Sequence, residues 1–239
     1  MRKLIEGAGK LGIKLTTRQV KQFELYYQEL IEWNKKINLT AITDYSSVQV
    51  KHFLDSLTIT LALSEEEAAS PDFRIVDVGT GAGFPGVPLR ILFPGPRLLL
   101  VEPTTKKTAF LHHIIRILEL QNVEVLNSRA EEAAHLPACR EQYDLVLSRA
   151  VALLPTLVEL TLPFCRIGGR FIAQKKGEID QEIARAKNAI SVMGGGLDQT
   201  KKMELDEFTD ARYLVIIDKI SSTPNTYPRR PGVPKRRPL

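Results

Sequence analysis

A glycine-rich segment between Asp77 and Gly86 is the part of this sequence most informative about chemistry. It reads Asp-Val-Gly-Thr-Gly-Ala-Gly-Phe-Pro-Gly and directly follows the β-rich run at 73–76. Glycine lacks a Cβ, so such a turn lets the backbone approach a ligand closely and leaves amide N–H groups free to face it. The segment therefore predicts a site for a nucleotide-like cofactor, with Gly79, Gly81 and Gly83 as candidate binding residues.

The spacing of these glycines favours an adenosine over a dinucleotide. The order is Gly-x-Gly-x-Gly, whereas a dinucleotide-binding turn has Gly-x-Gly-x-x-Gly. Glu102 follows a second apolar run at 98–101, where a carboxylate can accept both hydroxyls of a ribose. A tight turn followed by an ordinary surface glutamate is the weaker alternative.

The elements that must position this turn read as an α/β fold. Two amphipathic helices, at 17–34 and 46–63, precede any strand, and a polar stretch at 64–71 separates them from the first β run. Strands and helices then alternate from 73 to 193, which predicts a parallel sheet covered on both faces. After Gly194-Gly195-Gly196, two β runs at 201–205 and 213–220 have no helix between them and should pair antiparallel at one edge. We expect an N-terminal helical extension at 1–70, a sheet domain at 71–220 and a C-terminal tail at 221–239.

Composition restricts the class of protein. The chain has 239 residues, 44% of them hydrophobic, and shows neither a signal peptide nor a spanning segment, so we expect a cytoplasmic protein without membrane contact. Cys139 and Cys165 have no partners at metal-ligand spacing, and the four histidines form no zinc pattern. We therefore predict no metal and no disulfide, and a monomer by default.

The tail carries the excess positive charge. The net charge is +5, and the segment 221–239 contains five basic residues and no acid. Its four prolines from position 228 onwards are expected to prevent helix and sheet, which suits an extended arm that binds RNA phosphates. A disordered solubilising tail is an equally good interpretation of the charge. The candidate RNA-binding residues of the arm are Arg229, Arg230, Lys235, Arg236 and Arg237.

Ligands of open α/β sheets bind beyond the carboxyl ends of the strands. That rule gathers five segments around one mouth: Gly79 to Phe84, Glu102, Arg129 to Glu131, Ser148 to Ala150, and Lys175 with Lys176. This arrangement resembles the S-adenosyl-methionine pocket of the seven-stranded, Rossmann-like methyltransferases. By that resemblance Asp77 or the backbone of the turn meets the amino-acid end of the cofactor. Glu102 then meets the ribose, and Ala130 with Glu131 meets the adenine. A local ion pair between Arg129 and Glu131 is the alternative for those residues.

The atom that accepts the methyl group can be narrowed by what is missing. Exocyclic amine methylation usually needs an Asn/Asp-Pro-Pro-aromatic turn after the fourth strand, where this chain has Ser-Arg-Ala-Val at 148–151. Carbon methylation needs a cysteine nucleophile there, and Cys139 comes earlier, in a polar loop. A ring nitrogen with a free lone pair, such as guanine N7, needs no base. In A-form RNA the N7 edge of guanine lies in a deep, narrow groove that side chains cannot enter, so the target must lie in a loop or bulge.

Two basic residues at the mouth have open roles. Arg149 could hold the guanine O6 or a phosphate, or it could pair with an acid. Lys175 could hold a phosphate or be solvated.

Several blocks in combination resemble the RsmG (GidB) family of bacterial methyltransferases, over nearly the whole chain. They are Trp33 to Ile42, His52 to Leu57, Asp77 to Pro88, Glu102 with Lys106-Lys107 and Phe110-Leu111, Arg129 to Glu132, Ser148 to Ala152 and Pro228 to Leu239. The resemblance implies methylation of guanine N7 in 16S ribosomal RNA, free or in the small subunit. It also implies that Gly79, Phe84, Ala130, Glu131 and Arg149 touch S-adenosyl-methionine. The block at Asn38 to Thr40 is expected to cover the cofactor pocket.

Three other functions stay open from the residues alone. A methyltransferase for a small molecule or protein would not need the basic tail, and a non-enzymatic RNA-binding module would not bind the cofactor. A nicotinamide-dependent oxidoreductase conflicts with the glycine spacing.

Overall fold

A single seven-stranded sheet organises the molecule in the computed structural model, which describes all 239 residues. The strand order is β3-β2-β1-β4-β5-β7-β6, in which β1 to β5 are parallel and β7 runs antiparallel to both β5 and β6. The strands are β1 (Arg74–Val78), β2 (Arg97–Val101), β3 (Val123–Leu126), β4 (Tyr143–Arg149), β5 (Cys165–Lys176), β6 (Gly195–Met203) and β7 (Arg212–Lys219). The predicted α/β class, the parallel sheet and the antiparallel edge are confirmed.

Helices cover both faces of this sheet. They are α1 (Arg2–Lys10), α2 (Thr17–Asn34), α3 (Tyr45–Val48), α4 (Asp55–Leu57), α5 (Glu65–Ala69), α6 (Gly86–Leu92), α7 (Thr105–Ile117), α8 (Ala130–Ala133), α9 (Leu154–Thr161), α10 (Asp180–Val192) and α11 (Val233–Arg236). The central strands β1, β2 and β4 are almost wholly buried, as apolar strands between two helical layers must be. No helix is both long and apolar enough to cross a bilayer.

The N-terminal helices pack directly on the sheet. Thr16 and Gln19 form a capping box that starts α2. The segment from α3 to residue 62 is continuously helical but changes its winding, with a π turn at Gln49–Leu54 and a 3-10 turn at Thr58–Ala62. Phe23 and Phe53 from these helices share one buried hydrophobic cluster with sheet residues such as Leu100. The helical segment therefore forms one wall of whatever lies at the end of the sheet.

Two elements differ from the sequence prediction because packing favours glycine there. Helix α1 was not predicted, since Gly7 and Gly9 weaken the local pattern, yet a Cβ at Gly7 would lie 2.4 Å from Leu54 Cδ2. Strand β6 begins at Gly195, six residues before the predicted start, and a Cβ there would meet Leu162 and Ile217. In both places glycine permits close approach of the backbone to a neighbour.

The C-terminal tail is ordered, which corrects the expectation of an extended arm. Arg229 makes a bidentate ion pair with the fully buried Glu159, with N···O distances of 2.9 and 2.6 Å. Arg140 donates to the carbonyls of Thr223 and Tyr227. Near its end the tail forms the short helix α11. Pro234 is compatible with this helix because it falls in the first turn, where a missing N–H costs no hydrogen bond. Arg229 therefore has a structural role, which removes it from the set of cations free to bind RNA.

This ion pair predicts a specific loss of stability. Arg229→Ala leaves the Glu159 carboxylate buried without its partner, so the free energy of unfolding should fall by about 3 kcal/mol. Urea denaturation measures it, with Arg230→Ala as the control, since Arg230 is exposed. Equal stability of the two variants would show that the tail is not held by this pair.

Candidate functional site

A cleft of ≈ 470 Å³ opens at the carboxyl ends of β1, β2 and β4. Its walls come from the loop after β1, from Glu102 after β2, from residues 129–131 and from 149–151. Leu39 and Thr40, from the block expected to cover the pocket, also line it. The structure thus brings together Gly79, Gly81, Phe84, Glu102, Ala130, Glu131 and Arg149 from the predicted set.

The glycines of the loop have different tasks. Gly81 has φ +61°, and a Cβ there would meet no protein atom within 4 Å, so its backbone faces the open cleft. Gly83 has φ +95° and does not line the cleft, since a Cβ there would lie 2.7 Å from both Tyr26 Oη and Val87 Cγ2. Gly83 is therefore needed for packing under the loop, and the structure does not place it among the residues that line the cleft.

The Asp77 side chain fixes the conformation of the glycine loop. Its side chain is fully buried, and Oδ2 accepts hydrogen bonds from Thr80 Oγ1 at 2.6 Å and from the Gly86 amide at 2.8 Å. Oδ1 has no partner. Burial raises the pKa of Asp77 to about 6, although both hydrogen bonds oppose the shift. Asp77 does not line the cleft, so its part is to shape the turn rather than to meet the ligand's amino-acid end.

Glu102 presents a fixed carboxylate at the cleft. The residue is buried, Oε2 accepts the Gly81 amide at 3.1 Å, and Oε1 accepts the Thr104 amide at 3.0 Å. Carboxylate oxygens have further lone pairs, so these bonds leave acceptor capacity for a ribose diol. The carboxylate therefore connects the glycine turn to the end of β2.

Aromatic rings support the cleft from the side of α2. Phe84 stacks on Tyr26 at 5.3 Å between centroids and on His52 at 4.7 Å, and Tyr26 Oη donates to the Ala82 carbonyl at 2.5 Å. The Arg149 guanidinium lies over the ring of Phe84, 5.0 Å from its centroid, in a cation–π contact. The N-terminal helices thus fix the loop that β1 alone would leave free.

A buried charge cluster closes the cleft at one end. Asp55 accepts hydrogen bonds from Arg149 Nη1 at 2.9 Å and from Arg212 Nη1 at 3.2 Å. Arg149 Nη2 also lies 3.2 Å from His52 Nδ1. Burial and the Arg149 charge lower the pKa of His52 to about 3, so the imidazole is neutral at physiological pH.

Beyond this cluster lies a second cavity of ≈ 410 Å³, hereafter the polar pocket. It shares His52, Arg149 and Ala150 with the cleft, so the two meet at the carboxyl end of β4. Ala150 itself has φ +57°, a left-handed conformation that is uncommon for a residue with a side chain. The junction is therefore a bend in the backbone with a neutral imidazole and a guanidinium beside it.

Two predicted residues have structural partners. Lys175 Nζ lies 2.5 Å from Glu182 Oε1 and donates to the Ala152 carbonyl at 2.7 Å. Glu131 lines the cleft, but its Oε1 also accepts the Gly232 amide at 3.0 Å, which ties the C-terminal tail to the cleft. Glu131 forms no ion pair with Arg129.

The sequence does not identify the residues of the N-terminal helices that support the site from outside the sheet. In the sequence Tyr26, His52 and Asp55 stand out only as members of a helix at 17–34 or of a block of residues at 52–57. His52 and Asp55 stand among other polar residues, Gln49, Lys51 and Ser56, so the helical run itself does not mark them out. Their partner Arg149 is more than ninety positions away, with a separation of 94 from Asp55.

Comparison with known proteins agrees with this geometry. The family model for rRNA small subunit methyltransferase G, GidB, matches residues 19–209. A ribosomal RNA small subunit methyltransferase G from Dehalococcoides mccartyi (strain BAV1) is 52% identical over 239 residues, which is 100% of both chains. One from Pelotomaculum thermopropionicum is 49% identical over 234 residues, 98% of this chain and 96% of its own.

Solved structures share the fold. The M. jannaschii TYW2 structure in complex with AdoMet has a TM-score of 0.52 at 15% identity and covers 65% of this chain and 74% of its own. TrmN from Thermus thermophilus has a TM-score of 0.51 at 19% identity, covering 70% of this chain and 48% of its own. At these identities the likeness shows the fold alone.

The buried Asp77 predicts an unusual pH dependence of stability. Its folded pKa of about 6 exceeds the unfolded value of about 4, so between these pH values only the folded state holds the proton. Rising pH therefore destabilises the wild type, and its free energy of unfolding should fall by about 2 kcal/mol relative to Asp77→Asn between pH 4 and 7. Urea denaturation at several pH values measures the difference. A constant difference would contradict the assignment.

Proposed function

We propose that this chain, which belongs to the rRNA small subunit methyltransferase G family, transfers a methyl group from S-adenosyl-methionine to guanine N7 in 16S ribosomal RNA. The family model and the full-length relatives support methylation of small-subunit ribosomal RNA. One observation supports the choice of N7. The cleft opens into the polar pocket, and the carboxylates and the imidazole at their junction all have partners, so none is free to act as a general base.

The residues of the cleft fit the cofactor. The open space over Gly81 accommodates a ligand close to the backbone, and the Glu102 carboxylate beside it suits ribose hydroxyls. Ala130 and Glu131 flank the place of the adenine. When bound, S-adenosyl-methionine supplies an electrophilic methyl group on a sulfonium. The chain's own task is then to orient the acceptor and to exclude water.

The imidazole and the carboxylates near the junction all have partners, including Asp210, whose Oδ1 accepts from Arg212 Nε at 2.8 Å. His52 is neutral, and its Nε2 lies 2.8 Å from Thr40 Oγ1 while Nδ1 lies beside Arg149. In the polar pocket Asp55 is paired with two arginines, and Glu182 with Lys175. A general base is therefore missing, which disfavours amine methylation and suits a ring nitrogen that attacks with its own lone pair.

The exposed cations of the tail, without Arg229, form a candidate surface for RNA. Arg230, Lys235, Arg236 and Arg237 are exposed, and three of these arginines line an open cavity with Arg229. Because the tail is bonded to Glu131, this surface is held next to the cleft. We propose that these four cations bind phosphates of the ribosomal RNA and that the protein works as a monomer in the cytoplasm.

The direct test is a transfer assay. Purified protein is supplied with labelled S-adenosyl-methionine and 16S ribosomal RNA, free and as small subunits, from cells that lack this methylation. Digestion and mass spectrometry should identify 7-methylguanosine. Another methylated nucleoside would overturn the choice of N7, and no transfer to either form of RNA would overturn the function.

Gly81→Val should abolish cofactor binding while the protein stays folded, because its side chain would enter the cleft and touch no protein atom. Calorimetric titration with S-adenosyl-methionine measures this. Gly12→Val is the matched control, since Gly12 also has a positive φ, +77°, with nothing within 4 Å, and thus carries similar backbone strain. Equal cofactor affinity of the two variants would remove the loop from the site.

Neutralising the four exposed tail cations to Gln should weaken RNA binding and flatten its salt dependence. Each phosphate contact to single-stranded RNA adds about 0.7 to the slope of log affinity against log salt, so the slope should decrease by about 3. Filter binding at several salt concentrations measures it. The control neutralises four exposed cations of the N-terminal segment 1–18: Arg2, Lys3, Lys14 and Arg18. A slope equal to that of the wild type would contradict the role of the tail.

A further inference from the structure

A glutamine in the wall of the polar pocket has a buried acceptor atom that no group of the protein satisfies. Gln174 is 6% exposed and lies in the wall of the pocket. Its Nε2 donates to the Asp55 carbonyl at 2.5 Å and lies 3.2 Å from Thr58 Oγ1, which fixes the orientation of the amide. Its Oε1 is buried without any partner.

An orphan of this kind calls for a ligand. A buried acceptor without a donor costs about 1–3 kcal/mol, and most buried polar side-chain atoms have a partner. The amide cannot turn to relieve Oε1, because its oxygen would then face the Asp55 carbonyl, which is also an acceptor and has no proton to donate. A donor brought in by a bound molecule would remove the cost.

The neighbours of Gln174 indicate how such a molecule lies. Gln174 on β5 is the register partner of Arg149 on β4, and Arg149 borders the cleft as well as the pocket. The Arg149 guanidinium has five N–H donors, of which at most three have acceptors here: Asp55, the Lys51 carbonyl and His52. Two donors stay available to a ligand at the junction.

The order of groups on guanine matches this order of side chains. Around the ring, N7 is followed by the O6 acceptor, the N1–H donor and the 2-amino donor. With N7 turned to the cleft, O6 reaches the free donors of Arg149, and the N1–H and 2-amino edge turns to Gln174. An adenine offers an acceptor at N1 and has no 2-amino group, so it would leave Oε1 unpaired.

We propose that the polar pocket holds the flipped-out target guanine and that Gln174 Oε1 accepts a hydrogen bond from its N1–H or 2-amino group, which selects guanine. This inference rests on the proposed function, since it takes guanine N7 as the methylated atom. Gln174 is a specificity residue in this account, and it leaves the cofactor cleft untouched.

The test measures coupling between Gln174 and the donors of the base. The methylated guanosine is first located by mass spectrometry, and ribosomal RNA is then prepared with inosine or 2,6-diaminopurine at that position. Inosine lacks only the 2-amino group, whereas diaminopurine lacks N1–H and also carries an amino group in place of the O6 acceptor. The wild type should lose about tenfold in kcat/KM with at least one analogue, because a site built for a donor rejects a base without it.

Gln174→Leu removes the acceptor, so any discrimination against inosine should disappear, and discrimination against diaminopurine should shrink to the part caused by its missing O6. The kcat/KM for guanosine should fall about tenfold. Gln199→Leu, an exposed glutamine on β6, is the matched control and should discriminate like the wild type. Calorimetry with S-adenosyl-methionine and thermal unfolding check that the variant is folded, and Gln174→Met replaces it if stability is lost.

Discrimination that is the same in the wild type and in the Gln174 variant, whether large or absent, would overturn the inference. Failure of the proposed function itself looks different, because then no guanosine is methylated at N7 in the first step.

Discussion

The carboxylate of Asp55, held between Arg149 and Arg212, is the interaction on which the site depends. All three side chains are largely buried, and burying a charge is costly unless it is paired. The helical segment after residue 44 must therefore meet the ends of β4 and β7 at one point. That meeting places Arg149 against His52 and Phe84, and so fixes the border between the cleft and the polar pocket.

The other polar groups of the site also have fixed partners. Glu102 is held by two backbone amides, Asp77 by Thr80 and Gly86, and His52 is kept neutral. Groups with fixed partners need little reorganisation when charge moves during reaction. Such a site is suited to a donor that is already activated and an acceptor that carries its own lone pair.

The sequence predicted the sheet and the loop well because both have local signals: apolar strands, alternating helices and closely spaced glycines. It could not separate Gly81 from Gly83, since only the packing of Tyr26 shows which glycine faces protein and which faces space. It also misjudged the tail, because the partner of Arg229 is Glu159, 70 positions earlier and fully buried. Contacts at such separations leave no periodic pattern in the sequence.

A crystal structure with S-adenosyl-homocysteine tests the central claim most directly. The account predicts the ribose hydroxyls on the Glu102 carboxylate, the adenine beside Ala130, and the sulfur directed at the junction between His52 and Arg149. A product that binds outside the cleft, or whose sulfur faces away from the polar pocket, would contradict it.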